Sequence, residues 1–429
     1  MEQIGSRGWA EGLMRGVLGA CDPATCVREA VKRGLGGGTS VGFAGILSIG
    51  KAAAGMAAGA IEGLGSLADR TQLCVMGPEE YVAAWRRRDH TLALEGDHPL
   101  STARNQVHAE QVLGWLRQHG PKGEVLVLLS GGASAYLVSP MGRLKREELD
   151  EVYAAIRVRG GTIEELNSIR KHCEGMKGGR LAGLARSTRV LVMSDVLGDR
   201  LDVISSGPFV ADLSTCEDAA AVMRKYGLDR DFPAVLRHVS DAEHETPKRG
   251  DQRFARVTHE VLISNATAVR ALQDLLREQG IEIQASVQEV RGEPKMIAQD
   301  ARDVIRALKS GEGMVFGGEP TVDARHAATG ARGGPSQEWV LALAKVIEEC
   351  GVHATAWAFS TDGQDGNSPY AGGWLTSSMA KQARNRGFAT EEFREKHDAS
   401  SFLEEAAGEF FTGPTGVNVN HVACVVRTA

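Results

Sequence analysis

The sequence predicts a two-domain α/β protein, and three of its features support this fold class. The chain has 429 residues, more than one hydrophobic core usually accommodates, so two domains are expected. Short apolar runs alternate with amphipathic stretches of helical length, a pattern typical of βαβ units. The 52 glycines gather in loops, several of them directly after such runs, where glycine lets the backbone approach a ligand closely.

The apolar runs of the first half predict a doubly wound parallel sheet. Both faces of these runs are apolar, as expected for strands that helices cover on both sides. Strands are predicted at 45–49, 72–76, 124–129 and 188–194, with helices between some of them at 101–119 and 146–157. We therefore expect a parallel sheet in the N-terminal domain.

A second α/β series follows a polar, weakly periodic segment at 229–256. Its strands are predicted at 260–265, 282–287, 313–318, 354–361 and 421–426. We place the domain boundary within the polar segment, which gives an N-terminal domain of residues 1–240 and a C-terminal α/β domain of residues 241–429.

Composition and charge exclude several classes of protein. The net charge of −6 provides no broad basic surface, so a nucleic-acid partner is not expected. The seven cysteines contain no C-x-x-C pair, which favours reduced thiols over a disulfide framework or a zinc site. The N-terminus lacks the pattern of a signal peptide. The longest apolar stretch, 41–61, contains Lys51 and five glycines and is not expected to span a membrane. We expect a cytoplasmic protein.

Lys51 is the first candidate site residue. Residues 45–51 fit the P-loop pattern G-x-x-x-x-G-K, but Ala52 stands where a P-loop requires Ser or Thr, and the middle of the motif is itself a predicted strand. We reject the P-loop. Lys51 nevertheless follows a strand directly and opens a helix, where a nearby anion would offset its unfavourable interaction with the helix dipole. The alternative is a solvated surface lysine.

A second candidate is the loop after the strand at 124–129. It consists of Ser130, Gly131, Gly132, Ala133 and Ser134. Free backbone amides at such a turn form a nest that suits phosphate or carboxylate. A plain strand-to-helix connection without a ligand explains the string equally well, so both interpretations stay open.

Basic and acidic residues follow in adjacent segments. Arg170, Lys171, Lys177 and Arg180 concentrate positive charge beside glycines in an acidic protein, which favours an anion site over a solvated basic face. Asp195 comes just after the strand at 188–194, and Asp199 follows it. Carboxylates at strand ends commonly hold magnesium in phosphoryl-transfer sites, although turn formation is the commoner role of Asp in loops.

The second half repeats this arrangement. Glu319 and Asp362 follow strands within glycine-rich loops, and Thr415 and Asn418 precede the last strand. Each is individually compatible with an ordinary turn. The recurrence of such strand ends in both halves favours a cleft between two α/β domains.

Taken in order, these loops resemble the signatures of the glycerate 2-kinases, whose C-terminal half is called the MOFRL domain. The resemblance runs from about Leu47 to Val426 and is carried by SIGKAA, SGGASA, IRKHCEGMKGGRLA, SDVLGDRLDVISSGP, GGEPTV, GGPSQE, STDGQDG and TGPTGVNVN. It implies a Rossmann-like N-terminal domain, a MOFRL-type C-terminal domain and an active site in the cleft between them.

The resemblance also implies a reaction and roles for residues. It implies ATP and Mg²⁺, D-glycerate as acceptor and 2-phosphoglycerate as product. Lys51 would neutralise phosphoryl charge or bind the substrate, and Asp195 and Glu319 would serve as magnesium or base residues, with Asp199 as a further metal ligand. The remaining candidates would bind substrate or phosphate: the loop 130–134, Arg170, Lys171, Lys177, Arg180, Arg332, Asp362, Thr415 and Asn418.

Several positions depart from the family pattern. Pro335 and Ser336 replace the arginine and asparagine of the usual GGRNQE, and Arg332 is the nearest candidate to substitute for that arginine. The third glycine of the usual SGGGS is Ala133. A ligand-binding relative with little or no catalysis is therefore the alternative function. A hydroxypyruvate reductase is disfavoured because no strand-anchored G-x-G-x-x-G is present. A homodimer is left open as the oligomeric state.

Overall fold

The computed structural model describes residues 3–35, 42–323, 325 and 327–428. They form two compact units, Pro23–Leu262 and a second that combines Met1–Asp22 with Ile263–Ala429. This division differs from the predicted domains in two ways: the change of unit comes near residue 262 rather than 240, and helix α1 (Arg7–Ala20) belongs with the C-terminal part. The indole N–H of Trp357 donates to the carbonyl of Ala10 at 3.0 Å. These residues are 347 positions apart in the chain, so local sequence patterns cannot predict the contact.

The first unit is built on a six-stranded sheet. Its strands are β1 (Gly45–Ile49), β2 (Gln72–Gly77), β3 (Thr91–Glu95), β4 (Glu124–Leu129), β5 (Ser187–Met193) and β6 (Val257–Ile263). Their order is β3-β2-β1-β4-β5-β6, and the pairs β2–β3, β1–β2, β1–β4 and β4–β5 are parallel. This is the Rossmann order, in which the strand sequence reverses direction between β1 and β4. Ligands of such sheets bind beyond the carboxyl ends of the strands at that switch point.

The helices of the first unit carry several candidate residues. They are α2 (Pro23–Leu35), α3 (Ala53–Leu64), α4 (Glu79–Val82), α5 (Ala103–His119), α6 (Ala133–Tyr136), α7 (Arg146–Val158), α8 (Ile163–Cys173), α9 (Cys216–Lys225) and α10 (Pro233–Val239). The Thr162 hydroxyl accepts a hydrogen bond from the Glu165 amide, and the Glu165 carboxylate accepts one from the Thr162 amide. This capping box fixes the start of α8, the helix that bears Arg170.

The second unit contains a mixed six-stranded sheet. Its strands are β7 (Glu282–Gly292), β8 (Glu312–Pro320), β9 (Ala354–Ser360), β10 (Gly372–Thr376), β11 (Glu409–Phe410) and β12 (His421–Arg427), in the order β11-β10-β9-β12-β8-β7. Within the described residues of this sheet, the strands β7 and β8 pair in parallel, and the other neighbouring strands pair antiparallel. The helices are α11 (Asn265–Glu278), α12 (Pro294–Asp300), α13 (Arg302–Ala307), α14 (Pro335–Glu349), α15 (Ser377–Asn385), α16 (Thr390–Glu395) and α17 (Ala399–Ala406). Trp339, Phe316 and Phe402 lie in its core.

The predicted fold class is confirmed, with differences in individual strands. The run at 260–265 was assigned to the second series, but β6 is an edge strand of the first sheet. The strands β3, β10 and β11 were not predicted. β3 is half-exposed at an edge, and β11 has only two residues, so neither carries a strong apolar signal. Within the described residues, no helix is both long and apolar enough to cross a membrane.

Candidate active site

The turn after β1 packs directly against the loop after β4. The Lys51 amide donates to the Gly131 carbonyl at 2.9 Å, and the Ala52 amide donates to the Ser130 hydroxyl at 3.1 Å. Two amides that a P-loop would offer to phosphate are therefore used within the protein. Gly50 has a φ of +129°, and a Cβ there would lie 2.1 Å from Ser130 Oγ, so only glycine fits this close approach.

Lys51 and Asp195 meet at the two glycines of the loop after β4. A Cβ on Gly131 would lie 2.1 Å from Asp195 Oδ2, and a Cβ on Gly132 would lie 3.2 Å from Lys51 Cγ and 3.1 Å from His98 Cδ2. Burial raises the pKa of Asp195, while the charge of Lys51 opposes that rise. Burial, with the charge of Lys51, lowers the pKa of His98 to about 4, so His98 is neutral at pH 7.

Ala133, a departure from the resembling family, fits its position. It is the first residue of α6 and is fully buried, and its φ is not among the positive values of the chain. A methyl group is therefore tolerated at position 133. The preceding residue, Gly132, has a φ of +86° and could not be replaced by another residue without strain.

A cavity of about 390 Å³ lies beside these residues in the first unit. Gly132, Ser134, Asp195, Arg170 and Lys177 line it, so the structure brings these predicted residues together. It adds cavity residues that sequence reasoning missed: His98, Arg146, Asp150, Tyr153 and Glu174. Glu174 lies inside the basic segment already singled out, and a search for the counter-charge of its lysines would have found it.

Two predicted anion-binding residues face other partners. The Lys171 ammonium lies 2.9 Å from Asp212 Oδ1 in a buried ion pair, and the Arg180 guanidinium donates to the His244 carbonyl at 2.6 Å. Neither lines the cavity, and neither does Asp199, whose φ is +49° in the loop after Asp195. The basic segment thus contains both cavity residues and residues that hold neighbouring loops.

In the second unit, Asp362 and Thr415 lie together. The Asp362 carboxylate accepts from the Ser360 hydroxyl at 2.7 Å, and the Asp362 carbonyl accepts from the Thr415 amide at 3.3 Å. The Asn418 side chain accepts from the Asn420 amide at 3.4 Å. Glu319 is exposed near the end of β8. It follows Gly318, which pairs with His421 at the start of β12.

Arg332 is held by acidic neighbours of its own unit. Its guanidinium lies 2.7 Å from Glu404 Oε2, and its amide donates to Asp398 at 3.0 Å. Pro335 occupies the first turn of α14, a position that proline favours because its missing N–H has no helical partner there. Pro335, which stands in place of the family arginine, is therefore compatible with the start of α14. Separately, the guanidinium of Arg332 is paired with the carboxylate of Glu404.

A buried acid, Asp365, lies at the same end of α14. Asp365 accepts from the amides of Ser336 and Gln337 at 2.9 and 2.8 Å, and burial raises its pKa to about 7. The Ser336 hydroxyl lies 2.7 Å from His421 Nδ1. Burial lowers the pKa of His421 to about 4. Ser336, the second family departure, is thus part of a buried polar cluster.

The chain is similar to known proteins over most of its length. Residues 9–240 match a family model described as a domain of unknown function, DUF4147, and residues 313–421 match the MOFRL family. A glycerate 2-kinase of Pyrococcus horikoshii is 30% identical over 90% of this chain and 87% of its own length. A protein of Agrobacterium vitis named putative hydroxypyruvate reductase is 32% identical over 89% of this chain and 86% of its own. The crystal structure of a glycerate kinase from Thermotoga maritima superposes with a TM-score of 0.87 at 29% identity, covering 98% of this chain and 99% of that one.

The Rossmann-ordered sheet, the cationic cavity at its switch point and these relatives define the class of protein: a two-domain α/β phosphotransferase with an alcohol group as acceptor. Such enzymes work chiefly by positioning and by electrostatic stabilisation of phosphate. Within this class, the chain belongs to the glycerate 2-kinase family with DUF4147 and MOFRL domains.

Proposed function

We propose that this enzyme transfers the γ-phosphate of ATP to the 2-hydroxyl of D-glycerate or a closely related small hydroxy acid. The observation that carries the proposal is the placement of Lys51 and Asp195 against Gly131 and Gly132 at the switch point of the sheet. Asp195 lines the cavity, and Lys51 lies against Gly132, which also lines it. Together they supply the base and the positive charge that phosphoryl transfer to an alcohol requires.

In this proposal Asp195 accepts the proton of the acceptor hydroxyl. The hydroxyl oxygen then forms a bond to the γ-phosphorus as the bond to the leaving ADP oxygen breaks. Burial raises the pKa of Asp195, which makes its carboxylate a better proton acceptor than an exposed aspartate. The Lys51 ammonium balances negative charge on the transferring group, and His98 beside it, with a pKa of about 4, adds no charge at neutral pH.

The residues present are compatible with Mg²⁺. This ion is usually bound through one or two carboxylates together with substrate phosphates, and Asp195 supplies a partly buried carboxylate at the edge of the cavity. A carboxylate bound to Mg²⁺ is a weaker base, so holding the ion is the alternative to the role of Asp195 as proton acceptor; the ion, when bound, supplies neutralisation of phosphate charge. Glu319 and Asp199 remain predicted ligands, and the roles of Asp362, Thr415 and Asn418 remain predictions.

The direct test is ATP-dependent turnover of the full chain over a panel of short hydroxy acids. D-Glycerate with Mg²⁺ and ATP should yield ADP and 2-phosphoglycerate, the position of the phosphate being read by NMR. Chelation of the divalent ion should abolish turnover, and Mg²⁺ should restore it. Asp195→Asn, which keeps the size of the side chain, should retain the fold and lower kcat by about a hundredfold or more. Folded wild-type protein without turnover on any acceptor would refute the proposal.

A second candidate is a ligand-binding relative with slow or no catalysis. Pro335 stands where the family arginine is expected, and Arg332 is paired with Glu404, so neither supplies that positive charge freely. Loss of such a clamp lowers rates by several orders of magnitude. Tight binding of D-glycerate without phosphorylation, in the same assays, would favour this candidate. A nicotinamide-dependent reduction is disfavoured because the turn after β1 uses its amides within the protein.

A further inference from the structure

The cavity wall contains a second group of charged residues, which is buried. Glu174 and Lys177 are each 2% exposed and form an ion pair, 2.6 Å from Nζ to Oε1. The hydroxyl of Tyr153 donates to the same carboxylate oxygen at 2.9 Å, and the Ser139 amide donates to the other oxygen at 3.3 Å. Glu174 therefore fixes both Tyr153 and Lys177.

Arg170 lies over the ring of Tyr153, with its Cζ 5.1 Å from the ring centroid. In the described part of the chain, no hydrogen bond or ion pair engages its guanidinium. Burial lowers the pKa of Arg170, and the nearby Tyr153, Glu174 and Asp150 only partly oppose that fall. Arg157 also lines the cavity, but its side chain is exposed, and water solvates its charge.

The charged residues that line the cavity sum to a single positive charge: Arg146, Arg157, Arg170 and Lys177 are positive, and Asp150, Glu174 and Asp195 are negative. Lys177 is paired with Glu174, and Arg146 is paired with Asp150 and Glu147, whereas no ion pair engages Arg170 within the described residues. A site with one excess positive charge matches a monoanionic carboxylate better than a phosphate group that carries about two negative charges. The planar fork of an arginine also matches the two oxygens of a carboxylate.

We propose that Arg170 and Lys177 bind the carboxylate of the acceptor, and that Tyr153 and Glu174 are the positioning residues that hold them. The inference rests on the proposed function, and it separates two anion sites: the acceptor carboxylate at Arg170 and Lys177, and the phosphate near Lys51. Tyr153 supports the guanidinium with its ring face and is itself anchored through its hydroxyl. Glu174 accepts a hydrogen bond from one N–H of the Lys177 ammonium, and the other two N–H groups are left to donate to the ligand.

The first test measures binding without ATP, by calorimetry on the full chain. D-Glycerate is the probe, and glycerol, which has no carboxylate, is the comparison. Wild type should bind D-glycerate and not glycerol. Arg170→Met should weaken D-glycerate binding about a hundredfold, and Arg170→Lys less than that. Tyr153→Phe should weaken it about five- to tenfold, the net effect of one ordinary hydrogen bond, because Tyr153 acts on the ligand only through its neighbours.

Tyr226→Phe is the matched control. The Tyr226 hydroxyl donates to Glu165 at 2.7 Å, so this variant breaks a second Tyr–Glu hydrogen bond of the same unit, outside the cavity. It should leave D-glycerate binding unchanged. In turnover assays Tyr153→Phe should raise KM for D-glycerate five- to tenfold while kcat and KM for ATP stay within about twofold. A merely structural role would lower kcat and thermal stability without this split.

The outcomes separate this proposal from the proposed function. Binding of D-glycerate that depends on Arg170 and Tyr153, without any phosphorylation, would support the carboxylate site and refute the kinase activity. Phosphorylation of D-glycerate with unchanged binding and KM in Arg170→Met and Tyr153→Phe would overturn the carboxylate site and leave the kinase activity standing. Failure of the wild type to bind D-glycerate or any other short hydroxy acid would also overturn the site.

Discussion

Gly131→Ala should disable the site through one methyl group. The backbone of Gly131 does not require a left-handed conformation, so the effect is steric: the new Cβ would lie 2.1 Å from Asp195 Oδ2 and 2.8 Å from its Cγ. Contacts below 3.0 Å are essentially never found for Cβ atoms, so the carboxylate must move by at least 0.9 Å. A displacement of about 1 Å of a reacting group costs on the order of a hundredfold in rate, about 3 kcal/mol in the barrier.

The assay is kcat for ATP-dependent turnover beside the melting temperature of each variant. Gly114→Ala in α5 is the matched control, because a Cβ at Gly114 meets no atom within 4 Å. It should leave turnover unchanged and stabilise the helix by about 0.5–1 kcal/mol. In an Asp195→Ala background the clash disappears, so adding Gly131→Ala should change neither stability nor residual turnover. Wild-type turnover in Gly131→Ala, or an equal loss of stability in both backgrounds, would refute the steric argument.

Three further predictions concern other parts of the molecule. Lys51→Ala should keep a near-wild-type melting temperature but lose about a hundredfold or more in kcat, with poor rescue by Lys51→Arg; wild-type turnover would make Lys51 a solvated helix-start residue. Asp365 holds its proton up to about pH 7 in the native state but releases it near pH 4 when unfolded, so its contribution to stability falls as pH rises from 4 to 7, by at most about 4 kcal/mol. Asp365→Asn should flatten this decline in denaturant titrations at several pH values, and an unchanged pH profile would contradict the buried protonated acid. Arg332→Gln should leave kcat within about twofold because Arg332 pairs with Glu404; a large loss of kcat would restore Arg332 as the substitute for the missing family arginine.

The sequence by itself determined four of the six strands of the first sheet and the general location of the candidate site. The strands at 45–49 and 124–129 were predicted with the bounds that the structure has, because buried parallel strands are apolar on both faces. Since parallel strands end at one edge of a sheet, residues directly after them converge there. The sequence alone therefore places Lys51, the loop 130–134 and Asp195 at one edge of the sheet.

Only the tertiary structure decided which basic residues face the cavity. Arg170 and Lys171 are neighbours in the chain, but successive residues of a helix point about 100° apart, so Arg170 lines the cavity while Lys171 pairs with Asp212. The partnership of Tyr153 with Glu174 joins two helices that are separate in sequence. Likewise, the packing of α1 with the C-terminal part depends on contacts hundreds of residues apart. Local patterns record burial and periodicity, whereas the choice of partner is made by long-range packing, which leaves no periodic signal in a single sequence.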